Sequence, residues 1–137
     1  MIVVADTGAL YALMDRSDAW HDRTKQWWSE HGASVVVPAI VLPELCYLLQ
    51  ARIGPAAEQA FVQAVADGEF VIEDLEPDDI GRAAAIMAQY ADLPLGFVDA
   101  AVVATTERLW TREVLTTDRR HFGAVRPKHA RSLVLLP

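Results

Sequence analysis

Apolar residues recur along this chain in two rhythms. Short, mostly β-branched runs appear at "MIVVA", "SVVVP", "EFVIEDL" and "REVLTTD", with a further short run at "SLVLLP". Runs of this length, bounded by turn residues or acids, predict buried strands. Between them the apolar positions fall at helical intervals. "TGALYALMD" predicts a short helix directly after the first strand. "DAWHDRTKQWWSEHG" predicts a second, with Trp20, Thr24, Trp27, Trp28 and His31 on one face and Gly32 as its stop. "AIVLPELCYLLQARIG" is a strongly apolar helix with Pro43 near its first turn, where the missing N–H costs nothing. Gly54 closes it, and Pro55 opens "PAAEQAFVQAVADG". The alanine-rich "PDDIGRAAAIMAQYAD" and, after the "LPLG" break, "FVDAAVVATTERL" complete the helices.

Strands alternating with helices predict an α/β fold: three α/β/α layers around a mostly parallel sheet of 4–5 strands. No internal repeat, low-complexity tract or linker interrupts the pattern, so residues 1–137 are expected to form one domain.

Four carboxylates break the apolar pattern. Asp6 ends "MIVVA", Glu44 interrupts "AIVLPELCYLL", Asp99 interrupts "LGFVDAAVVA", and Asp118 ends "VLTTD". Most other acids lie in polar surroundings such as "EDLEPDD". In an open parallel sheet, ligands bind beyond the carboxyl ends of the strands, where the strand order reverses. All four acids are expected to reach that one edge. Each has a local alternative: Asp6 and Asp118 as helix or turn caps, Asp99 at the positive end of its helix dipole, Glu44 paired with Arg52 or Arg82. Four carboxylates together repel and raise one another's pKa values, and a divalent cation resolves the conflict. Mg²⁺, with Mn²⁺ as a substitute, takes oxygen ligands and retains waters for a phosphate substrate.

Charge adds a second signal. The net charge of −7 by itself argues against a nucleic-acid partner. Residues 1–104, however, carry 5 basic and 16 acidic side chains, whereas residues 105–137 carry 7 basic and 3 acidic ones. A basic end points to a polyanionic partner there. Other site chemistries are absent from the sequence. His21, His31, His121 and His129 lack zinc-ligand spacing, Cys46 stands alone as a small apolar residue, and no phosphate-binding glycine loop or serine nucleophile elbow occurs. The first residues lack the charge pattern of a signal peptide, and the longest apolar run is too short to span a bilayer. A soluble protein in a reducing, cytoplasmic setting is expected.

The blocks "IVVADTGALYAL", "YADLPLGFVDAAVVA" and "VLTTDRRHF", with the Glu44 helix between them, resemble the PIN-domain ribonucleases, and more narrowly the VapC toxins of toxin–antitoxin pairs. The resemblance runs over nearly the whole chain in the same order. It implies a metal-dependent endoribonuclease whose acids are Asp6, Glu44, Asp99 and Asp118, with Asp6 and Asp99 as direct metal ligands and Glu44 and Asp118 acting through water or on a second ion. It implies supporting hydroxyls at Thr7, Thr116 and Thr117, a small antitoxin partner, a homodimer, and products with a 5′-phosphate and a 3′-hydroxyl. Asp92, in the same block, is read as a turn residue. Arg112, Arg119 and Arg120 flank Asp118 in sequence, and with Arg16 they are the candidate RNA contacts. Leu10, Tyr11, Met14, Trp20, Trp27 and Trp28 are the candidates for antitoxin docking, with simple core packing as the alternative for the tryptophans. Transfer RNA or ribosomal RNA is the expected substrate. The rival readings are a DNA nuclease or phosphatase using the same acids, and a non-catalytic binding module.

Overall fold

The structure is a computed structural model and describes residues 1–137. Its strands are β1 (Val3–Ala5), β2 (Val35–Pro38), β3 (Val71–Glu73), β4 (Glu113–Leu115) and β5 (Val134–Leu136). Its helices are α1 (Thr7–Met14), α2 (His21–His31), α3 (Leu42–Arg52), α4 (Pro55–Ala66), α5 (Pro77–Gln89), α6 (Phe97–Arg108) and α7 (Arg119–Ala124). Single 3₁₀ turns at Gly32–Ser34 and Ala39–Val41 flank β2. No helix is long and apolar enough to cross a membrane.

All strand pairings are parallel, in the order β3-β2-β1-β4-β5. The chain winds outward from β1 through β2 to β3, then returns to the other side of β1 as β4. The strand order therefore reverses between β1 and β4, the position where open α/β sheets hold their ligands. β1 is the central strand and is buried on both faces, which is why "VVA" contains no polar residue. The edge strand β3 leaves Val71 exposed.

Helix α6 explains the opening of the crevice. Residues Ala100 to Thr106 are all buried, and its alanines let α5 and the sheet approach closely. Two threonines survive in this interior because their hydroxyls donate back to the helix, Thr105 to Ala101 O at 2.8 Å and Thr106 to Val103 O at 2.6 Å. The first turn, with Asp99, and the last, with Glu107 and Arg108, emerge partly from the core.

Four local expectations are corrected. Helix α2 begins at His21, so Trp20 precedes it and the proposed aromatic face is divided. Thr24 is fully buried, Trp27 stacks on His31 at 4.9 Å, and Trp28 packs against Phe70 at 5.7 Å. The "RRHF" segment, where the alternative for Asp118 is to cap a turn, is helix α7. The acidic loop is not simply solvated: Asp79 is 3% exposed. It accepts from the Glu76 amide at 3.0 Å and from Arg108, which also binds Glu73 at 2.7 Å. Cys46 is half-buried rather than a core residue.

Candidate active site

Asp6 follows β1, and Asp118 comes shortly after the neighbouring β4. The register Ala5↔Leu115 continues with the Asp6 amide donating to Leu115 O at 2.9 Å. That continuation places Thr116 beside Asp6, and the Thr116 hydroxyl donates to Asp6 Oδ2 at 3.1 Å. The same hydroxyl accepts from the Asp118 amide at 2.9 Å, so one buried threonine links both acids. Asp6 and Asp118 are also the N-caps of α1 and α7, while Glu44 and Asp99 lie in the first turns of α3 and α6. Four helix amino ends thus carry the four acids, and their dipoles offset part of the mutual repulsion.

The electrostatics show how close the group is. Asp6 is 5% exposed, and burial, then the charge of Asp99, push its pKa up to about 7. The Thr7 amide and the Thr116 hydroxyl oppose that shift, and Asp118 adds to it. Burial and then Asp118 also raise Asp99, with Glu44 contributing further, while His121 and the Gly96 amide act in the other direction. Asp99 therefore feels each of the other three acids. Glu44 is exposed and pairs with neither of its candidate arginines. Arg52 lies over the Tyr11 ring at 5.1 Å, and Arg82 binds Glu107 at 2.7 Å.

The acids do not form a ready-made metal cage, since no three His, Cys, Asp or Glu side chains converge on one point. Like charges spread when nothing draws them together, and Asp118 has another partner. Its Oδ1 accepts from the His121 amide at 2.9 Å, and its Oδ2 meets His121 Nδ1 at 2.8 Å. His121 is a site residue that zinc-spacing criteria pass over; the signal for it is a histidine three positions after a capping aspartate. The donor set still fits a hard divalent cation: all four groups are carboxylates, two of them hold their protons abnormally tightly, and the Thr7 hydroxyl is buried beside Asp6 without a partner. Thr117 packs against the start of α1, where a Cβ on Gly8 would come within 2.7 Å of its hydroxyl.

The candidate arginines separate. Arg16 and Arg120 are exposed. Arg119 is tied down, donating to Leu135 O at 3.0 Å and Pro137 O at 2.7 Å. Arg119 and Arg23 both lie over the Trp20 ring, at 5.2 and 4.5 Å. Arg112 precedes β4 and so lies at the amino end of the sheet, the edge opposite the acids. A strand separates it from Asp118, and proximity in sequence does not become proximity in space. Among the docking candidates, Leu10 and Tyr11 belong to the core, with Tyr11 hydrogen-bonded to Asp15. Met14 instead lines an apolar groove of about 330 Å³ with Leu49, Ala57, Phe61 and Phe70. Asp92 is exposed in the turn after α5.

Comparison with known proteins agrees with this fold. The PIN domain family matches residues 3–126. Ribonuclease VapC26 of Mycobacterium tuberculosis is 34% identical over 135 residues, covering 98% of this chain and 100% of that one. The crystal structure of VapC20 of M. tuberculosis, described as a sarcin–ricin-loop-cleaving toxin, superposes with a TM-score of 0.82 at 23% identity, covering 89% of this chain and 94% of that one. The DNA-bound VapBC complex of Salmonella typhimurium gives 0.71 at 16% identity, covering 98% and 97%. A buried aspartate at the β1/β4 switch point, a parallel five-stranded sheet and a full-length relative together place this chain in the PIN-domain family, within its VapC group.

Proposed function

We propose that this protein is a divalent-metal-dependent endoribonuclease, the toxin of a toxin–antitoxin pair, that hydrolyses phosphodiesters of structured RNA, with transfer or ribosomal RNA as target. The observation that carries the reading is Asp6, a 5%-exposed carboxylate raised to about 7 by burial and by Asp99 at the sheet's switch point. A group so placed is costly to keep without a positive partner. Ribonuclease VapC26 supports the activity by its name, and VapC20 supports a structured RNA target by its description.

Asp6 and Asp99 would hold the metal directly, with Glu44 and Asp118 acting through water or on a second ion. When bound, Mg²⁺ or Mn²⁺ supplies a water of lowered pKa and neutralises charge developing on the phosphate. The chain's own residues do the rest. Thr116 fixes the rotation of Asp6 through its hydrogen bond. His121 holds both oxygens of Asp118. Arg16 and Arg120, exposed, attract the RNA backbone. Cleavage would leave a 5′-phosphate and a 3′-hydroxyl.

The apolar groove beside Met14 is proposed as the seat of an antitoxin segment, and a second copy of the chain as a further partner. The toxin–antitoxin complexes among the structural neighbours support an antitoxin partner. Purified protein offered matched RNA and DNA should cleave RNA with Mg²⁺ and fall silent in EDTA. A preference for DNA would overturn the ribonuclease reading.

A further inference from the structure

A second feature lies at the opposite edge of the sheet. Helix α6 ends in a Schellman turn: the Trp110 amide donates to Glu107 O at 3.2 Å and the Thr111 amide to Thr106 O at 3.0 Å. The residue in the left-handed position of this turn is normally glycine. Here it is Trp110, at φ 59°. Its ring is 78% exposed, more than any other large apolar side chain of the protein. Both choices are unfavourable, and backbone outliers of this kind cluster where they serve a function.

The indole stands at the rim of a cleft of about 480 Å³ lined also by Met1, Ile2, Arg112 and His129. The His129 ring lies 5.3 Å from the indole at 30°, and its Nε2 contacts Thr111 O at 2.7 Å. His129 Nδ1 is buried without a partner, so the floor of the cleft has an unsatisfied polar atom. Arg112 is exposed and in no ion pair. Glu113 is the only acid in the lining.

We propose that Trp110 is a stacking platform for an unpaired base of the RNA substrate, with Arg112 holding the adjoining phosphate. An exposed, rigidly presented aromatic ring beside an unpaired cation is a recurring solution for single-stranded nucleic acid. Eleven positions separate Asp99 from Trp110, about 16 Å along the α6 axis; the middle of α6 is buried, so an RNA reaching both passes around the fold and is longer than that span. The inference rests on the ribonuclease reading, and it gives that activity a second contact away from the chemistry.

The test compares wild type with Trp110→Ala and Trp110→Gly on a single-stranded RNA of about fifteen nucleotides and on a dinucleotide. The glycine variant suits the backbone and guards against misfolding. KM for the longer RNA should rise roughly tenfold, as expected for loss of one stacked base, with kcat unchanged and dinucleotide cleavage unaffected. Equal KM for the longer RNA would overturn the proposal. The dissociation constant of the same RNA in EDTA, read from the fluorescence anisotropy of end-labelled RNA, separates the two readings. If wild type binds but does not cleave, the ribonuclease assignment fails alone. If wild type and Trp110→Gly bind equally, the platform fails alone. A change in self-association with unchanged RNA affinity would also overturn it, and would mark the cleft as a protein interface.

Discussion

Burial, then Asp118 and Glu44, push Asp99 upward, and the charge of Asp99 in turn raises Asp6. Without metal, Asp99→Asn removes a repelling charge from a half-buried position, so its melting temperature in EDTA should exceed that of wild type while RNA cleavage is lost. Asp6 gives the pH dependence. Its folded pKa of about 7 lies above the 3.8 of an unperturbed aspartate. Between those values the native state binds the additional proton, so this group's contribution to stability falls as pH rises. The stability of Asp6→Asn relative to wild type should therefore grow from pH 4 to pH 8 in EDTA, by at most about 4 kcal/mol, and added Mg²⁺ should reverse the order. A constant difference across that range, measured by urea unfolding, would show that Asp6 is not strained. Gly8 sets a steric limit: Gly8→Ala pushes on the Thr117 hydroxyl from 2.7 Å and should reduce cleavage, whereas Gly8→Ala with Thr117→Ala should recover part of it.

At the scale of elements, α6 joins two unlike ends. Its first turn carries Asp99, while its last carries Arg108, held by Glu73 and Asp79. Asp79 also caps α5 by accepting from the Glu76 amide, so Asp79→Ala should cost about 2 kcal/mol of stability. Its cleavage rate below the melting transition should not change, which thermal unfolding and initial rates together can check. The elements themselves were readable because strands and helices differ in rhythm: "VVA" and "VVVP" are too short and too β-branched to be helices, and α3 to α6 repeat at helical intervals. Helix α7 was not readable, since Phe122 alone among its residues is buried and nothing periodic marks it. The start of α2 was misjudged for a related reason. Trp20 is held by the guanidiniums of Arg23 and Arg119 rather than by the core, and cation–π contacts leave no periodic trace.

For the whole molecule, the four acids were legible as interruptions of apolar sequence, because each lies where a strand ends or a helix begins. What the sequence does not display is which side chains oppose them across the crevice. His121 was invisible in its role because its partner is set by the cap geometry of α7, and Arg112 was misplaced because a strand carries it to the far edge of the sheet. Leu10 and Tyr11 show the same limit: α1 is buried on most of its faces, and an apolar run marks burial without saying what covers it. The fold places four helix amino ends on the carboxyl side of the sheet, where their dipoles offset part of the acids' repulsion, and the proposed cation would complete what they begin. Calorimetric titration of the metal-free protein with Mn²⁺ tests this most directly, with wild type and Asp99→Asn side by side. Wild type should bind the ion, and Asp99→Asn should bind it at least tenfold more weakly. Equal binding by the two proteins would contradict the assignment of these carboxylates as a metal site.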